Sequence, residues 1–307
     1  YQKKFQIDGA RIDMGHALPT LLVEGLLRQV KEVNPDFILW SEEFQPEKSL
    51  PAQEKGFHFI IGNLWSLNKR LHQKEFLADL INHTMISALP VTAALETPDT
   101  PRIAQVFQDR RGIELLTFIN YFLPNSIPYI NSGLELLERQ PMNLGLENTE
   151  AGKFVLEKDD PMYGRLAFFD QYYFHWLNKD RQWMKALLVN ASRLRSRFIK
   201  LISDKNNLIV DHGVMKNRNL IHLGYYSKET GEYLILLGNK NLKCPVKLNW
   251  RRLLPKDLMT AKAISIAYAN GSLRDEEWPI DNIRRLGPGE VLIGLLQTHH
   301  LELKDGR

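Results

Sequence analysis

In the first half of the chain, short apolar runs alternate with longer segments whose apolar residues recur at helical spacing. Between residues 20 and 33, Leu22, Leu26 and Val30 recur on one helix face. The predicted strands are 5–12, 37–40, 57–61, 91–95 and 127–130, and the predicted helices are 20–33, 46–55, 70–86, 113–122 and 183–202. Strands that alternate with helices in this way predict parallel βαβ units.

Beyond about residue 205 the pattern changes to short apolar runs separated by Gly, Asn, Asp and Pro, without a helical period between them. The predicted strands there are 208–210, 220–223, 233–237, 246–248, 263–266 and 291–293. Such a pattern is typical of an all-β domain. We therefore predict an α/β domain over residues 1–204 and an antiparallel β-sandwich over residues 205–307.

The bulk properties are those of an ordinary globular protein. The chain has 307 residues, of which 44% are hydrophobic and 25% charged, and this length leaves room for two domains. It contains no run of about 18 apolar residues, so we expect no membrane span. The net charge of +4 is small and spread along the chain, so we expect no nucleic-acid partner.

Cysteine usage and the start of the chain bear on compartment and completeness. Cys244 is the single cysteine, which excludes a disulfide within the chain and a CxxC metal motif. No cluster of metal-ligating residues in this sequence specifies calcium either, and we expect no metal and no other cofactor. A single cysteine fits a reducing compartment, and a cytoplasmic location is the expectation. The chain opens on Tyr1 with no visible signal peptide, and we interpret it as a fragment without its natural N-terminus.

Carboxylates follow three of the predicted strands directly. They are Asp13, Glu42 and Asp99. In (β/α)₈ enzymes the catalytic groups lie where strands end, and retaining glycoside hydrolysis needs two carboxyl groups about 5–5.5 Å apart. Each acid alone also has an ordinary interpretation: an ion pair with a neighbouring Arg, a favourable charge at a helix start, or a turn residue between prolines. Their recurrence in order favours a common site.

The segments around these acids resemble the second, third and fourth signature regions of the alpha-amylase family of glycoside hydrolases. The matching positions are Arg11 and Asp13, Ser41 and Glu42, Asp99 and Arg102, and the segment 127–135, which is similar to the family's eighth-strand region. The resemblance implies an α/β fold: a partial (β/α)₈ TIM barrel that contains strands four to eight and lacks its first strands, followed by an all-β sandwich domain.

The same resemblance implies a role for each acid. Asp13 would be the nucleophile, Glu42 the general acid/base, and Asp99 a ligand of sugar hydroxyls, while Arg11 would orient Asp13 and keep it ionised. Glu43 is the alternative acid. The implied function is a retaining glycoside hydrolase or transglycosylase that acts on α-linked glucans such as starch, glycogen and maltodextrin.

Two departures from the family pattern point to another possibility. Pro98 stands where the family usually has His before its third acid, and His16 stands three residues after Asp13. Together these features resemble the maltosyltransferase branch that works on maltose 1-phosphate. His16 is a candidate for sugar binding, with a structural histidine as the alternative.

Further candidates for substrate contact come from the pattern and from the aromatic residues. Arg102 is implied by its position after the third acid. The segment 141–180 is irregular and rich in aromatic residues, and long loops of this kind are often functional. Trp65 and the aromatic stretch 163–176 are the best candidates for subsite walls, although a core role is the alternative for every aromatic residue.

The first signature region and the first three strands of such a barrel are not in this sequence. We therefore expect a missing N-terminal barrel half in the intact protein, beside an α-glucan or maltooligosaccharide as substrate. Five strands of eight leave open sheet edges, so we predict that this piece alone is poorly stable or inactive. A non-catalytic amylase-like binding module is the alternative from another functional class.

Overall fold

The computed structural model describes residues 2–209, 218–280 and 284–297. The chain divides into two compact units. The first unit holds Tyr1–Val106 and Leu123–His175, and the second holds Phe107–Phe122 and Trp176–Arg307. The predicted boundary between residues 204 and 205 follows the change in secondary structure and stays a prediction.

The first unit is built on a sheet of five parallel strands in sequential order. The strands are β1 (Gly9–Ile12), β2 (Ile38–Ser41), β3 (Phe59–Ile60), β4 (Val91–Ala94) and β5 (Ser126–Tyr129). The helices of this unit are α1 (Gln2–Phe5), α2 (Thr20–Val33), α3 (Ser49–Glu54), α4 (Leu64–Asn68), α5 (Phe76–Met85) and α6 (Ile103–Val106). The predicted parallel βαβ arrangement is confirmed.

The first predicted strand was wrong at its start. It was expected from residue 5, but Gln2–Phe5 forms a helical turn and β1 begins at Gly9. The side-chain amide of Gln2 donates to the backbone oxygen of Val30 over 2.7 Å, which ties this turn to α2. Gln6 then adopts a positive φ of 49°. This turn is thus held by a contact with a segment distant in sequence, which the local strand pattern does not show.

The second unit begins with two long helices, α7 (Arg110–Phe122) and α8 (Arg181–Ser203). Nearly every residue of α7 from Gly112 onward is buried. The ring of Phe118 packs against Tyr268 at a centroid distance of 4.3 Å. The Tyr268 hydroxyl donates to Glu114 over 2.8 Å, and burial raises the pKa of Glu114. Helix α7 is thus an interior element of this unit.

The rest of the second unit is antiparallel. Its strands are β6 (Leu208–Ile209), β7 (Leu220–Ser227), β8 (Glu232–Asn239), β9 (Val246–Lys247), β10 (Ala263–Ala269), β11 (Ser272–Pro279), β12 (Arg285–Leu286) and β13 (Val291–Gln297). Six of them form one sheet in the order β11-β10-β13-β8-β7-β6, and β12 pairs with β9. The predicted antiparallel β character of this part is confirmed, while residue 210 of the predicted strand 208–210 lies outside the described residues.

Strand β11 was missed by the sequence pattern because it is an edge strand rich in charge. Its sequence contains Arg274, Asp275, Glu276 and Glu277, and Trp278 is its single buried residue. Charged side chains on an edge strand oppose pairing with other chains, and they also remove the apolar alternation that identifies a strand.

The described part of the chain contains no helix with the length and apolar character that a membrane span requires.

Candidate active site

The carboxyl ends of β1 and β2 lie side by side. The register pairs Ile12 with Ser41, so the residues that follow, Asp13 and Glu42, leave the sheet next to each other. The backbone N–H of Glu42 donates to Ile12 O over 3.1 Å and extends this pairing by one step. Parallel pairing thus brings together two acids that are far apart in sequence.

The guanidinium of Arg11 bridges these two acids. Its Nη1 donates to Asp13 Oδ1 over 3.0 Å, and its Nη2 donates to Glu42 Oε1 over 2.7 Å. The planar fork of arginine fixes both direction and spacing of its carboxylate partners. Asp13 is open to solvent, with 77% of its side chain exposed, whereas the Glu42 side chain is 10% exposed.

The turn after β1 completes the surroundings of Glu42. Met14 adopts a left-handed conformation with φ of 48°, and its N–H donates to Glu42 Oε2 over 2.8 Å. His16 Nδ1 lies 2.7 Å from the Glu42 backbone oxygen, so the structure places this predicted site residue beside the acid. A Cβ at Gly15 would lie 2.5 Å from Ser41 Oγ, so glycine permits this close approach.

The neighbouring acid Glu43 has a different environment. Its residue is 5% exposed, and its Oε1 accepts the N–H of Gln45 over 2.8 Å. Its backbone oxygen accepts the N–H of Gly62 over 2.8 Å. Glu43 therefore stabilises the turn after β2, and no described hydrogen bond links it to Arg11.

Asp99 follows β4 and lines a cavity of about 140 Å³ at the same end of the sheet. The lining residues are Arg11, Trp40, Ile61, Thr92, Thr97, Pro98, Asp99, Tyr129 and Phe168. Asp13 and Glu42 are not among these lining residues, but both accept hydrogen bonds from Arg11, which is one of them. The predicted residues Asp13, Glu42 and Asp99 are therefore brought to one region by the strands β1, β2 and β4.

Aromatic rings form much of the cavity wall. Trp40 stacks on Phe59 at 5.4 Å and meets Tyr129 at 5.7 Å. The indole N–H of Trp40 is buried without a partner among the described residues. Burial raises the pKa of Tyr129, and the charge of Arg11 opposes that shift. Phe168 brings one ring of the predicted aromatic stretch to this wall.

Arg102 does not reach the cavity. Its residue is 0% exposed. Nη1 donates to Glu96 Oε1 over 2.6 Å and to Ser132 O over 2.8 Å, and Nε donates to Gln140 O over 3.0 Å. Its contacts thus join the segments that follow β4 and β5. A direct contact of Arg102 with substrate stays a prediction that this interior position does not support.

Trp65 also lies apart from the cavity lining. It belongs to α4, and its indole N–H is buried without a partner among the described residues. Its predicted contact with substrate stays a prediction. Within residues 2–209, 218–280 and 284–297, no group of three or more His, Cys, Asp and Glu residues is placed to hold a metal ion.

Two histidines outside the site have structural contacts. His58 Nδ1 accepts the N–H of Leu39 over 3.0 Å, and His83 Nε2 accepts the N–H of Asn63 over 3.2 Å. Burial lowers the pKa of His83 to about 4, although Glu47 opposes the shift. A ring nitrogen that accepts a hydrogen bond is unprotonated, so the contact and the lowered pKa agree.

Sequence reasoning missed a polar cluster at the base of the aromatic segment. Glu138 is buried, and its Oε2 lies 2.7 Å from His175 Nδ1 and 3.1 Å from the Tyr172 hydroxyl. His175 Nε2 lies 3.1 Å from Asp160 Oδ2. Burial alone lowers the pKa of His175, but its contacts with Glu138 and Asp160 outweigh burial and raise it. No local motif indicates this cluster, because each of these contacts joins residues that are 15 to 37 positions apart.

Asn143 is the second residue that sequence reasoning missed. Its side-chain amide donates to Asp99 Oδ1 over 2.7 Å across 44 residues of sequence. The available signal was its location at the start of the long irregular segment 141–180.

Comparison with known proteins identifies the fold. No family model and no curated protein matches the chain. Among solved structures, an alpha-amylase from Anoxybacillus matches with a TM-score of 0.66 and 16% identity, over 96% of this chain and 60% of that one. The alpha-amylase of Geobacillus thermoleovorans complexed with acarbose matches with 0.67 and 18%, over 97% and 62%. A cyclic α-maltosyl-(1→6)-maltose hydrolase of Arthrobacter globiformis matches with 0.65 and 12%, over 96% and 57%.

The chain therefore has the fold of alpha-amylase-type glycoside hydrolases, seen as a partial parallel barrel with an antiparallel β domain. It spans about 60% of the length of the solved amylases that it matches. The similarity covers 94% or more of this chain in every one of these comparisons. The identity is low, so this likeness establishes the fold alone.

Proposed function

We propose that this chain carries the reacting carboxylates of a retaining glycoside hydrolase or transglycosylase that acts on α-linked glucans. The observation that carries the proposal is the guanidinium of Arg11, which holds Asp13 and Glu42 side by side and lines one cavity together with Asp99. Two adjacent carboxyl groups are the chemical requirement of double displacement at a sugar carbon. The likeness in fold to alpha-amylases supports the same conclusion.

In the proposed reaction, Asp13 attacks the anomeric carbon of the bound glucan. Its side chain is 77% exposed, so a sugar ring can approach it. Arg11 donates one hydrogen bond to Asp13 Oδ1 and thereby fixes the direction of the carboxylate that acts as nucleophile. A covalent glycosyl intermediate forms, and a second displacement releases the sugar with its original anomeric configuration.

Glu42 is the proposed general acid and base. It gives a proton to the leaving oxygen and later takes one from the acceptor, which is water in hydrolysis and a sugar hydroxyl in transfer. Both oxygens of Glu42 accept hydrogen bonds, from Arg11 and from the N–H of Met14. The cycle therefore requires one of these bonds to open when the leaving oxygen arrives.

The rest of the cavity supplies binding. Asp99 accepts hydrogen bonds from sugar hydroxyls, and the rings of Trp40, Tyr129 and Phe168 offer apolar faces to a sugar. His16, which lies against the backbone of Glu42, is a proposed contact of the sugar or of the leaving group. The proposed partner is thus an α-glucan or a maltooligosaccharide, and the proposed intact protein includes the N-terminal barrel half.

The first experiment tests the nucleophile in the complete natural protein. Asp13→Asn keeps the size of the side chain and removes the attacking oxygen's charge. We expect kcat on maltoheptaose to fall by about 10⁴-fold or more, with maltoheptaose binding retained in calorimetry. Proton NMR should show the α-anomer as the first product of the wild-type reaction. Unchanged turnover, or a first product of β configuration, would reject the mechanism.

The second experiment separates Glu42 from Glu43. A 4-nitrophenyl maltoside has a leaving group that departs without protonation, so an acid/base variant still forms the covalent intermediate. We expect Glu42→Gln to release one equivalent of nitrophenol in a burst and then stall, and Glu43→Gln to turn over continuously. The opposite result would transfer the acid/base role to Glu43.

A third experiment varies the co-substrate to identify the glycosyl donor and the glycosyl acceptor. With maltodextrin in water, a hydrolase releases reducing ends, and a transglycosylase produces longer chains. If inorganic phosphate stimulates degradation, or maltose 1-phosphate is consumed with chain elongation, the activity belongs to the maltosyltransferase alternative. A protein that binds maltoheptaose equally well as wild type and as Asp13→Ala, without turnover of any of these compounds, would be a binding module.

A further inference from the structure

The short segment from Asn143 to Asn148 lies against Asp99. Nδ2 of Asn143 donates to Asp99 Oδ1 over 2.7 Å. Nδ2 of Asn148 lies 3.4 Å from Asp99 O and donates to Asn143 O over 2.9 Å. A Cβ at Gly145 would lie 2.9 Å from both Cβ and the backbone oxygen of Asp99. The segment thus contacts the side chain and the backbone of this one acid.

Contacts outside Asp99 fix the shape of this segment. The N–H of Asn148 donates to Gly145 O over 3.0 Å, which closes a turn. Lys69, directly after α4, forms a 2.7 Å ion pair with Glu147. The segment therefore has its own anchors and can act as a support for the acid that it touches.

The backbone at Asp99 is also held, whereas its side chain depends on one partner. Thr100 Oγ1 accepts the N–H of Thr97 over 2.8 Å, and Thr97 Oγ1 accepts the N–H of Asp99 over 3.3 Å. Among the described residues, only Asn143 donates a hydrogen bond to the carboxylate of Asp99, through Oδ1. Within the part of the chain that the structure describes, no hydrogen bond to Oδ2 competes with a group that enters the cavity.

We propose that Asn143 is a positioning residue that sets the direction of the Asp99 carboxylate toward the substrate, and that Gly145 permits the close approach this requires. The inference rests on the proposed function. A carboxylate with one oxygen tied to an amide presents the other oxygen in a fixed direction. An amide is neutral, so it orients Asp99 without the opposing charge that Arg102 places against Glu96.

The test uses two substitutions of Asn143 in the complete natural protein, with maltoheptaose as substrate. Asn143→Ala removes the donor, and we expect kcat/KM to fall about tenfold, mainly through kcat. Asn143→Asp keeps the size but places an acceptor and a negative charge beside Asp99, so we expect a larger fall. If Asn143 only filled space, Asn143→Ala would lose more activity than Asn143→Asp, because Asp fills the space of Asn.

Matched controls separate this role from general damage. Asn34 is also half-buried, and its Oδ1 accepts the N–H of Asp36 over 3.0 Å, so Asn34→Ala should leave kcat and KM unchanged. Gly145→Ala should lower kcat, whereas Gly25→Ala, where a Cβ meets no atom within 4 Å, should not. Thermal midpoints of the Asn143 variants should stay within a few degrees of wild type.

Three results would overturn the proposal: wild-type kinetics in Asn143→Ala, a larger loss in Asn143→Ala than in Asn143→Asp, or equal losses in both glycine variants. If wild type and Asn34→Ala neither turn over nor bind maltoheptaose, the proposed function itself fails and this inference fails with it. Turnover by wild type together with any of the three results would reject the role of Asn143 alone.

Discussion

Two arginines at the carboxyl end of the parallel sheet hold carboxylates in contrasting ways. The side chain of Arg11 is 32% exposed and bridges two acids beside the cavity. The side chain of Arg102 is 1% exposed, and so is that of its partner Glu96. The same chemical pair thus occurs once beside the cavity, with Arg11 and Asp13 in contact with solvent, and once wholly in the interior. Exposure, more than residue type, therefore decides which of the two arginines is free to meet a substrate.

The contacts of each arginine agree with this division. Arg102 also donates to two backbone oxygens, so its guanidinium links the chain after β4 to the chain after β5. Glu96 in turn accepts the N–H of Ile103 over 2.7 Å and the amide of Asn131 over 3.2 Å. Arg11 donates to two carboxylates instead, and these are the groups that the proposed reaction uses.

The largest expected effect on stability comes from breaking the interior pair. Arg102→Met leaves the Glu96 carboxylate buried without its cation, and we expect the free energy of unfolding to fall by about 3–5 kcal/mol. Urea unfolding followed by circular dichroism measures this loss. The double variant with Glu96→Met should recover part of it. A loss below about 1 kcal/mol would contradict the assignment of Arg102 to the interior framework.

Breaking the contacts of Arg11 with Asp13 and Glu42 should affect activity more than stability. Arg11→Met should lower the free energy of unfolding by less than Arg102→Met does, because its partner Asp13 is exposed and its other partner Glu42, although largely buried, keeps the N–H of Met14 as a donor. Two charge-assisted hydrogen bonds at the reacting acids are lost, so kcat/KM should fall about 100-fold. Arg11→Lys keeps the charge without the fork and should fall between wild type and Arg11→Met. A stability loss as large as that of Arg102→Met would remove the contrast.

His175 is a third cation that pairs with carboxylates, and its charge depends on pH. Its side chain is 31% exposed and contacts Glu138 and Asp160, and the Tyr172 hydroxyl contacts the same carboxylate of Glu138. The raised pKa of His175 means that the charged ring contributes stability that is fully present below the unfolded value of 6.5. That contribution is lost as pH rises through the higher folded pKa.

His175→Gln removes this contribution, which we expect to reach about 1 kcal/mol. The difference in thermal midpoint between wild type and variant should be largest near pH 5.5 and should shrink at pH values above 6.5. Differential scanning fluorimetry across this range measures it. A difference that is constant with pH, or that grows toward alkaline pH, would contradict the charged pairing.

The smallest expected effect is on stability, at a glycine of α2 that takes no part in these ion pairs. Gly25 lies inside α2, and a Cβ there meets no atom within 4 Å. Gly25→Ala should therefore raise the free energy of unfolding by about 0.5–1 kcal/mol without changing kcat. The variant provides a reference in which stability changes alone, against which the Arg11 and Arg102 results are compared. A lower free energy of unfolding in Gly25→Ala would mean that a side chain at position 25 meets other atoms in solution, contrary to the structure.

Much of the fold could be predicted from the sequence. The helix 20–33 was predicted with the bounds that the structure has, and each of the five parallel strands was found within a few residues. The apolar period of a helix and the run of a buried strand are local properties, so most of these elements can be found without knowledge of the tertiary contacts. Strand β11 escaped because its charged edge position removes that signal.

The candidate site was predicted in part. The sequence indicated Asp13, Glu42 and Asp99 because each follows a strand, and parallel strands bring their carboxyl ends to one edge. It gave no indication that Arg102 is interior, since burial depends on residues such as Gln140, 38 positions away. It also missed Asn143, whose partner lies 44 positions away.

The order of the elements and the strand ends that carry acids follow from patterns within single elements, so both could be predicted before the fold was known. How those acids are paired depends on the packing of segments that are distant in sequence. Arg11 meets Glu42 across 31 residues, and whether a guanidinium contacts a cavity or an interior carboxylate depends on which segments the fold packs around it. Burial and hydrogen-bond partners are properties of that packing, and no local pattern encodes them.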